Sequence, residues 1–406
     1  MGIRRAYAAC LVLFRDWRIL PSFGRHSTLP PLPAPASRPH APPTLLLVKT
    51  SSLGDVIHNL PVVSDLRRHF PEARIDWCVE EGFQALPGLH PGVAQTIPVA
   101  VRRWRKHLLQ GATWGEIGAF RRRLRESAYD AVLDTQGLVK SALIARQARG
   151  PKAGYAPESA REPLAARFYD RTYSIPTGIH AVTRNRWLAA AAFGYADQLD
   201  LLPLDYGLAG SPRLPAPAIG AEAERPYAVL LTATSRDDKL WPEDRWIALG
   251  RALLAAGLDL RLPGGSPRER ERAGRIAAAL NAPEASLATP AWMADLQPPI
   301  VQIEGGRAFP APPRAEALPA SGLAELAAQI ALARLAVGVD TGLTHLAAAL
   351  NIPTLALFVA TDPGLTGVLS AGLHANLGGK AQCPDSRDVA ARAYAFLTGR
   401  DLPAVG

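Results

Sequence analysis

The stretch LLLVKTSSLGDVIHNLP, residues 45–61, decides how the chain is read. It opens on an unbroken aliphatic run, Leu45, Leu46, Leu47 and Val48. Such a run suits a parallel strand covered on both faces, where alternation of apolar and polar residues is not needed. Residues 49–52 are small or polar, Gly54 follows, and the apolar pattern resumes at Val56, Ile57 and Leu60. The pattern predicts a strand, a tight turn and the start of a helix. In an open α/β sheet, ligands bind beyond the carboxyl ends of the strands. Asp55 therefore stands where chemistry would be done. Aspartate is also a favoured helix N-cap, and the stretch alone leaves both roles open.

Working outward, the same unit recurs. RIDWCV (74–79) and residues 93–99 read as strands, and YDAVLD (129–134) runs into TQGLVKSALIAR with Gly137 in the turn. Residues 208–226 are rich in Pro, Ala and Gly and read as a linker. A second α/β pattern then begins with YAVLL (227–231), followed by TATSRDDKLWPEDRW, in which Pro242 is placed early in a helix. Strands are expected at 258–262, 336–339 and 354–358, and helices at 323–333 and 387–397. Alternation of this kind predicts α/β, doubly wound domains. The expected organisation is a disordered Pro/Ala-rich extension over 1–43, a first domain over 44–214, a linker over 215–226, a second domain over 227–385, and a terminal helix and tail over 386–406. Residues 288–317 read as a surface insertion in the second domain, not as a core element. No internal sequence repeat is evident.

Composition narrows the class. A chain of 406 residues, 48% hydrophobic and 20% charged, can bury two large cores, and no apolar run is long enough to span a bilayer. The net charge of +9 favours anionic partners. Cys10, Cys78 and Cys383 are far apart, with neither metal spacing nor a disulfide framework, which fits a reducing compartment. The basic run VRRWRKH (101–107) is followed by Arg121, Arg122, Arg123 and Arg125. It reads either as a solvated face or as a surface for phosphates and carboxylates. No helix-turn-helix or zinc pattern accompanies it, so nucleic acid is not expected. Asp340, Thr341, Gly342, Leu343, Thr344 and His345 lie between a strand and a helix. Helix N-termini offer unpaired N–H groups and a positive dipole end, so this loop is either a diphosphate site or a capped helix without ligand.

Taken together, KTSSLGDVIHNLP, WCVEEGF, IPVAVRRWRK, DTQGLVKSA, AREPLA, TSRDDKLWPE, LPGGSPRERERA, VDTGLTHLAAAL and TDPGLTG resemble the lipopolysaccharide heptosyltransferase I family, in that family's order, over roughly residues 45–367. The resemblance implies a GT-B fold, two Rossmann-like domains facing across a cleft, the first for acceptor and the second for donor. It implies inverting, metal-independent transfer of heptose from ADP-heptose to the inner Kdo of Kdo2-lipid A. It implies Asp55 as the base and Lys239 as the charge that meets the departing diphosphate. Ser52, Gly54, Thr234, Ser235, Lys239, Glu269, Asp340, Thr341, Gly342, Leu343 and His345 are the implied donor contacts, with Glu269 on the ribose. For His345, packing of the loop is an equal alternative. Arg102, Arg103, Arg105, Lys106 and Arg161 are the implied acceptor surface. No cofactor is implied. A monomer in peripheral contact with the cytoplasmic face of the inner membrane is expected.

Three departures stand against the family pattern: the extension before Thr44, the long insertion at 288–317, and Val359-Ala360 where Gly-Pro is usual. The competing readings are a related glycosyltransferase with another donor or acceptor, such as heptosyltransferase II, and a non-catalytic protein that binds anionic glycolipid. Asp55 and Lys239 together favour an enzyme.

Overall fold

The structure is a computed structural model that describes residues 42–216, 225–282 and 312–399. The chain forms two compact units that divide between Gly207 and Leu208. The division falls ahead of residue 214, so residues 208–214 side with the second unit. Residues 1–41 of the expected extension and residues 288–311 of the expected insertion lie outside the described residues.

In the first unit the elements run β1 Thr44–Val48, α1 Leu53–Ile57, α2 Leu60–His69, β2 Arg74–Glu80, α3 Ala85–Leu89, β3 Val93–Val99, α4 Val101–Trp104, α5 Gly111–Arg125, β4 Ala131–Asp134, α6 Val139–Gln147, β5 Lys152–Tyr155, β6 Arg171–Tyr173 and α7 Ala181–Phe193. The sheet order is β3-β2-β1-β4-β5-β6, and every pairing is parallel. Leu45 to Val48 are buried, as an aliphatic strand in the middle of a doubly covered sheet requires. Leu45 pairs with Ile75 on one side and Ala131 on the other.

The second unit repeats this plan: β7 Tyr227–Leu231, α8 Glu243–Ala255, β8 Asp259–Leu262, α9 Pro267–Asn281, β9 Ala315–Ala317, α10 Leu323–Ala331, β10 Leu335–Val339, α11 Gly342–Ala349, β11 Thr354–Phe358, β12 His374–Gly378 and α12 Ser386–Thr398. Its order is β12-β11-β10-β7-β8-β9, also all parallel. In each unit the first strand thus lies beside the fourth, where the direction of winding reverses. That is the place where an open sheet leaves a crevice.

Some elements were not legible. The expected insertion ends in a strand, because Ala315 to Ala317 pair with Leu260 to Leu262 and Ala315 is buried in the second core. This corrects the reading of 288–317 as wholly outside the core. A three-residue strand after a Pro/Ala-rich stretch gives no periodicity to read. Strands β5, β6 and β12, KAGY, RTY and HANLG, are too short or too polar for the same reason. Pro242 precedes α8 as its N-cap. Val359 packs against the second core, where the family pattern has glycine.

Gly154 in β5 leaves room for a ring: a Cβ there would lie 2.3 Å from the Tyr169 side chain. Tyr169 in turn donates its hydroxyl to Asp134 at the end of β4, at 2.7 Å. Gly154→Ala should overpack this contact and cost about 1–3 kcal/mol, read as a midpoint lowered by several degrees in thermal denaturation. An unchanged midpoint would mean that the ring moves freely.

Candidate functional site

The first unit's site is built on the turn after β1. Ser52 is the N-cap of α1 and Asp55 its third residue, so Asp55 is not the N-cap itself. Its Oδ2 accepts from the Ser52 amide at 2.9 Å and the Ser52 hydroxyl at 3.0 Å. Its Oδ1 accepts from Arg161 Nη2 at 2.7 Å. The capping role and the exposed ionic role therefore coexist, one on each oxygen.

Beneath this pair lies Lys49, the first residue past β1 and only 3% exposed. Its ammonium donates to the Thr135 carbonyl at 2.8 Å and to Asn185 Oδ1 at 3.4 Å. Burial pushes the Lys49 ammonium down from 10.5 to about 8, while the charge of Asp55 opposes the shift. For Asp55, burial works to raise the value. Lys49, Arg161, the Ser52 amide and His58 outweigh it and hold the carboxyl well below the usual range. Asp55 is thus ionised throughout the physiological range. An open cavity adjoins it, lined by Lys49, Thr135, Tyr155, Arg161, Arg184 and Asn185 among others. Thr135 Oγ1 is buried with no hydrogen-bond partner among the described residues.

The turn is held from across the strand reversal. Gln136, after β4, accepts from the Thr50 amide at 2.7 Å and the Thr50 hydroxyl at 2.8 Å, and donates to the Ser51 carbonyl at 3.0 Å. Gln136 is itself fixed by its amide, which donates to Asp134 Oδ1 at 2.8 Å. Sequence reading missed Lys49, Thr135 and Gln136. The signal for them was their place, directly after the two strands that turned out to be neighbours.

The expected basic surface is divided. Arg161 follows β5 and reaches Asp55, whereas Arg102, Arg103, Arg105 and Lys106 follow β3 at the sheet edge. Arg103 is engaged by Glu81 at 3.0 Å and Glu116 at 2.7 Å. Arg102 lies over the Phe83 ring. Arg105 and Lys106 are exposed.

The second unit's candidate residues gather at the equivalent reversal. Lys239 Nζ meets Asp340 Oδ2 at 2.5 Å, and Thr361 donates to the same oxygen at 2.7 Å. Thr234 donates to the Asp340 carbonyl at 3.1 Å. Thr341 is the N-cap of α11, so the amides of Gly342 and Leu343 open its first turn. Ser235 is exposed nearby in sequence, and His345 is buried in α11. Glu269 Oε2 accepts from the Gly265 amide at 2.8 Å and the Ser266 amide at 2.9 Å, closing a capping box on α9. Ser52 and Gly54, expected at the donor, belong to the first unit's Asp55 turn. Among the described residues, no group of three or more His, Cys, Asp or Glu side chains is placed to hold a metal ion.

Comparison with known proteins adds a family. The model of glycosyltransferase family 9 (heptosyltransferase) matches residues 117–297 and 307–393. Lipopolysaccharide heptosyltransferase 1 of Pseudomonas aeruginosa is 45% identical over 324 residues, covering 80% of this chain and 80% of that protein. The protein of the same name from Escherichia coli K12 is 41% identical over 324 residues, covering 80% and 90%. A solved structure described as E. coli heptosyltransferase WaaC with ADP superposes with a TM-score of 0.72 at 38% identity, covering 87% of this chain and 99% of that one.

The buried Lys49 makes a prediction independent of any reaction. Its proton is held less tightly in the folded than in the unfolded chain. The unfolded chain therefore binds more protons between about pH 8 and 10.5, and stability attributable to Lys49 rises with pH across that window. The stability difference between the wild type and Lys49→Met, from chemical denaturation, should shift in favour of the wild type across that window. A difference that stays flat would show that Lys49 is not desolvated.

Proposed function

The chain belongs to glycosyltransferase family 9, the heptosyltransferases, and from that premise we propose how its residues carry the reaction. It is a glycosyltransferase of α/β, GT-B class that transfers heptose in the building of the lipopolysaccharide core. The donor is ADP-heptose, and the acceptor is the inner Kdo of Kdo2-lipid A, reached by a monomer at the cytoplasmic face of the inner membrane. The observation that carries the proposal is the Asp55 carboxylate, ionised at the β1/β4 reversal and bordering a cavity with Lys49, Arg161 and Arg184.

The acceptor hydroxyl attacks the anomeric carbon opposite the leaving ADP, and Asp55 takes its proton. The glycosidic bond to the diphosphate breaks, and configuration inverts. Charge grows on the departing oxygen, where Lys239 and the amides of Gly342 and Leu343 meet it. Lys239 must first trade its contact with Asp340 for the diphosphate. Asp340, Thr341, Thr234, Ser235 and His345 frame that loop, and Glu269 takes the ribose hydroxyls on its remaining oxygen.

Arg161 has a double use. Paired with Asp55 it lowers the basicity of the carboxylate. An acceptor carboxylate in the cavity competes for the same guanidinium, so acceptor binding draws Arg161 away and makes Asp55 a better base. Arg102, Arg105 and Lys106 present positive charge to acceptor phosphates, while Arg103 is spent on Glu81 and Glu116.

These roles separate in steady-state kinetics with ADP-heptose and a deacylated Kdo acceptor. Asp55→Asn should lose roughly 10²–10⁴ in kcat while donor affinity persists; near-normal turnover would remove Asp55 as the base. Lys239→Ala should lower kcat, because its contact strengthens in the transition state. If only a KM changed, Lys239 would be a ground-state contact. Arg161→Gln should raise the acceptor KM. It should also move the acidic fall of kcat/KM to higher pH, since one of the cations lowering Asp55 is gone. An acidic limb that stays in place would separate Arg161 from the base.

A further inference from the structure

The rim after β3 carries an apolar tip, Leu109 backed by Trp114, that the transfer step does not use. Its base is rigid. The Trp104 indole is buried, packs against Phe120 and donates to Glu116 at 2.7 Å. Arg103 ties Glu116 to Glu81. From this base the chain turns through residues 105–110 into α5. At the tip Leu109 is fully exposed, at 102% of its reference area. Trp114, on the first turns of α5, is 39% exposed and donates its indole N–H to the Leu108 carbonyl at 2.9 Å, so it is fastened behind the tip.

Charge surrounds this apolar point. Arg102, Arg105, Lys106 and His107 are all exposed. Arg105 and Lys106 make no ion pair among the described residues, and the nearby carboxylates Glu81 and Glu116 are already taken by Arg103. A single exposed leucine is ordinary. A leucine tip backed by a fixed indole and flanked by unpaired cations matches the layers of a lipid surface: acyl boundary, headgroup level and phosphate. One protruding side chain is too small an apolar patch to anchor a protein interface, which needs about 800 Å² on each side.

We propose that residues 105–114 dock the first unit on an anionic bilayer. Leu109 enters the acyl boundary, Trp114 lies at headgroup level, and Arg105 and Lys106 meet lipid phosphates. Among the described residues no helix is long and apolar enough to cross a membrane, so attachment of this kind lies in the surface and is reversible. The loop leaves the carboxyl end of β3, on the same rim of the parallel sheet as the Asp55 turn after β1. A protein seated on this loop therefore turns its acceptor rim toward the lipid. The proposal deepens the reading of a lipid-borne acceptor, but it needs neither donor nor turnover.

The test is co-sedimentation of the full chain with vesicles of phosphatidylethanolamine and phosphatidylglycerol that contain no acceptor. Wild type, Leu109→Asp, the double variant Arg105→Gln/Lys106→Gln, and Leu332→Asp as a control on exposed leucine in the second unit are compared. Leu109→Asp should weaken partition about tenfold or more at any salt concentration. The double variant should weaken it and lose most of its salt dependence. Leu332→Asp should bind as wild type. Turnover of Leu109→Asp on a soluble, deacylated acceptor should equal wild type, so a failure of the transfer reading would appear there and not in the vesicles. Wild-type protein that stays in the supernatant, equal binding to neutral phosphatidylcholine, or Leu109→Asp sedimenting as wild type would each overturn the proposal.

Discussion

Both candidate sites depend on one constraint of parallel sheets. Where winding reverses between adjacent strands, the connections leaving those strands diverge to opposite faces and leave a crevice at their ends. In the first unit this happens between β1 and β4, in the second between β7 and β10. Divergence strips the turns of their neighbours, so their polar groups need partners from across the gap. The solutions are parallel in kind. Gln136, after β4, accepts from Thr50 after β1. Asp340, after β10, accepts from Thr234 through its carbonyl and from Lys239 through its carboxylate. The second tie uses charged groups that an anionic ligand can take apart. The first uses an amide that no anion displaces, so the turn carrying Asp55 is held independently of its guanidinium partner.

The first site's electrostatics follow from that rigidity. Lys49 is held in the sheet's end by the carbonyl of Thr135 and is almost wholly buried. Its charge is costly there, as the lowered value near 8 expresses. What offsets the cost is Asp55 above it, and Asp55 in turn is kept ionised by Lys49 and Arg161. Removing Asp55 takes away the charge that offsets the burial of Lys49, and removing Lys49 or Arg161 leaves Asp55 less firmly ionised. The arrangement resists the ordinary outcome of burying a carboxylate, which is to protonate it.

How much of this was legible depended on the length of the signal. Long aliphatic runs such as Leu45–Val48, and glycine turns such as that at Gly137, predict buried parallel strands and doubly wound units, and the strands are there. Strands of three to five residues, β5, β6, β9 and β12, leave no period, and their existence is decided by the edge they pair with. The candidate site could be proposed from sequence where its residues sit in a motif, as Asp55, Lys239 and the Asp340 loop do. Lys49 and Gln136 could not, because their meaning is a neighbour relation: β1 lies beside β4, 86 residues away from Thr50 to Gln136. Nor could the sequence separate Arg103 from Arg105. One is spent on Glu81 and Glu116 while the other remains exposed.

The two candidate carboxylates share a feature that limits what each can do. Asp55 and Glu269 are both the third residue of a helix whose N-cap is a serine, Ser52 or Ser266. In each, one oxygen is spent on the backbone: Asp55 Oδ2 on Ser52, and Glu269 Oε2 on Gly265 and Ser266. The spent oxygen fixes the rotamer, and the other points away from the cap. For Asp55 that other oxygen is Oδ1, and Arg161 covers it at 2.7 Å. On the proposed reading, a proton is accepted there only after the guanidinium yields. A helix cap thus aims the carboxylate, and an ion pair occupies the oxygen it leaves free. At Asp55 the sequence left capping and an ionic role open, and the structure holds both, one on each oxygen.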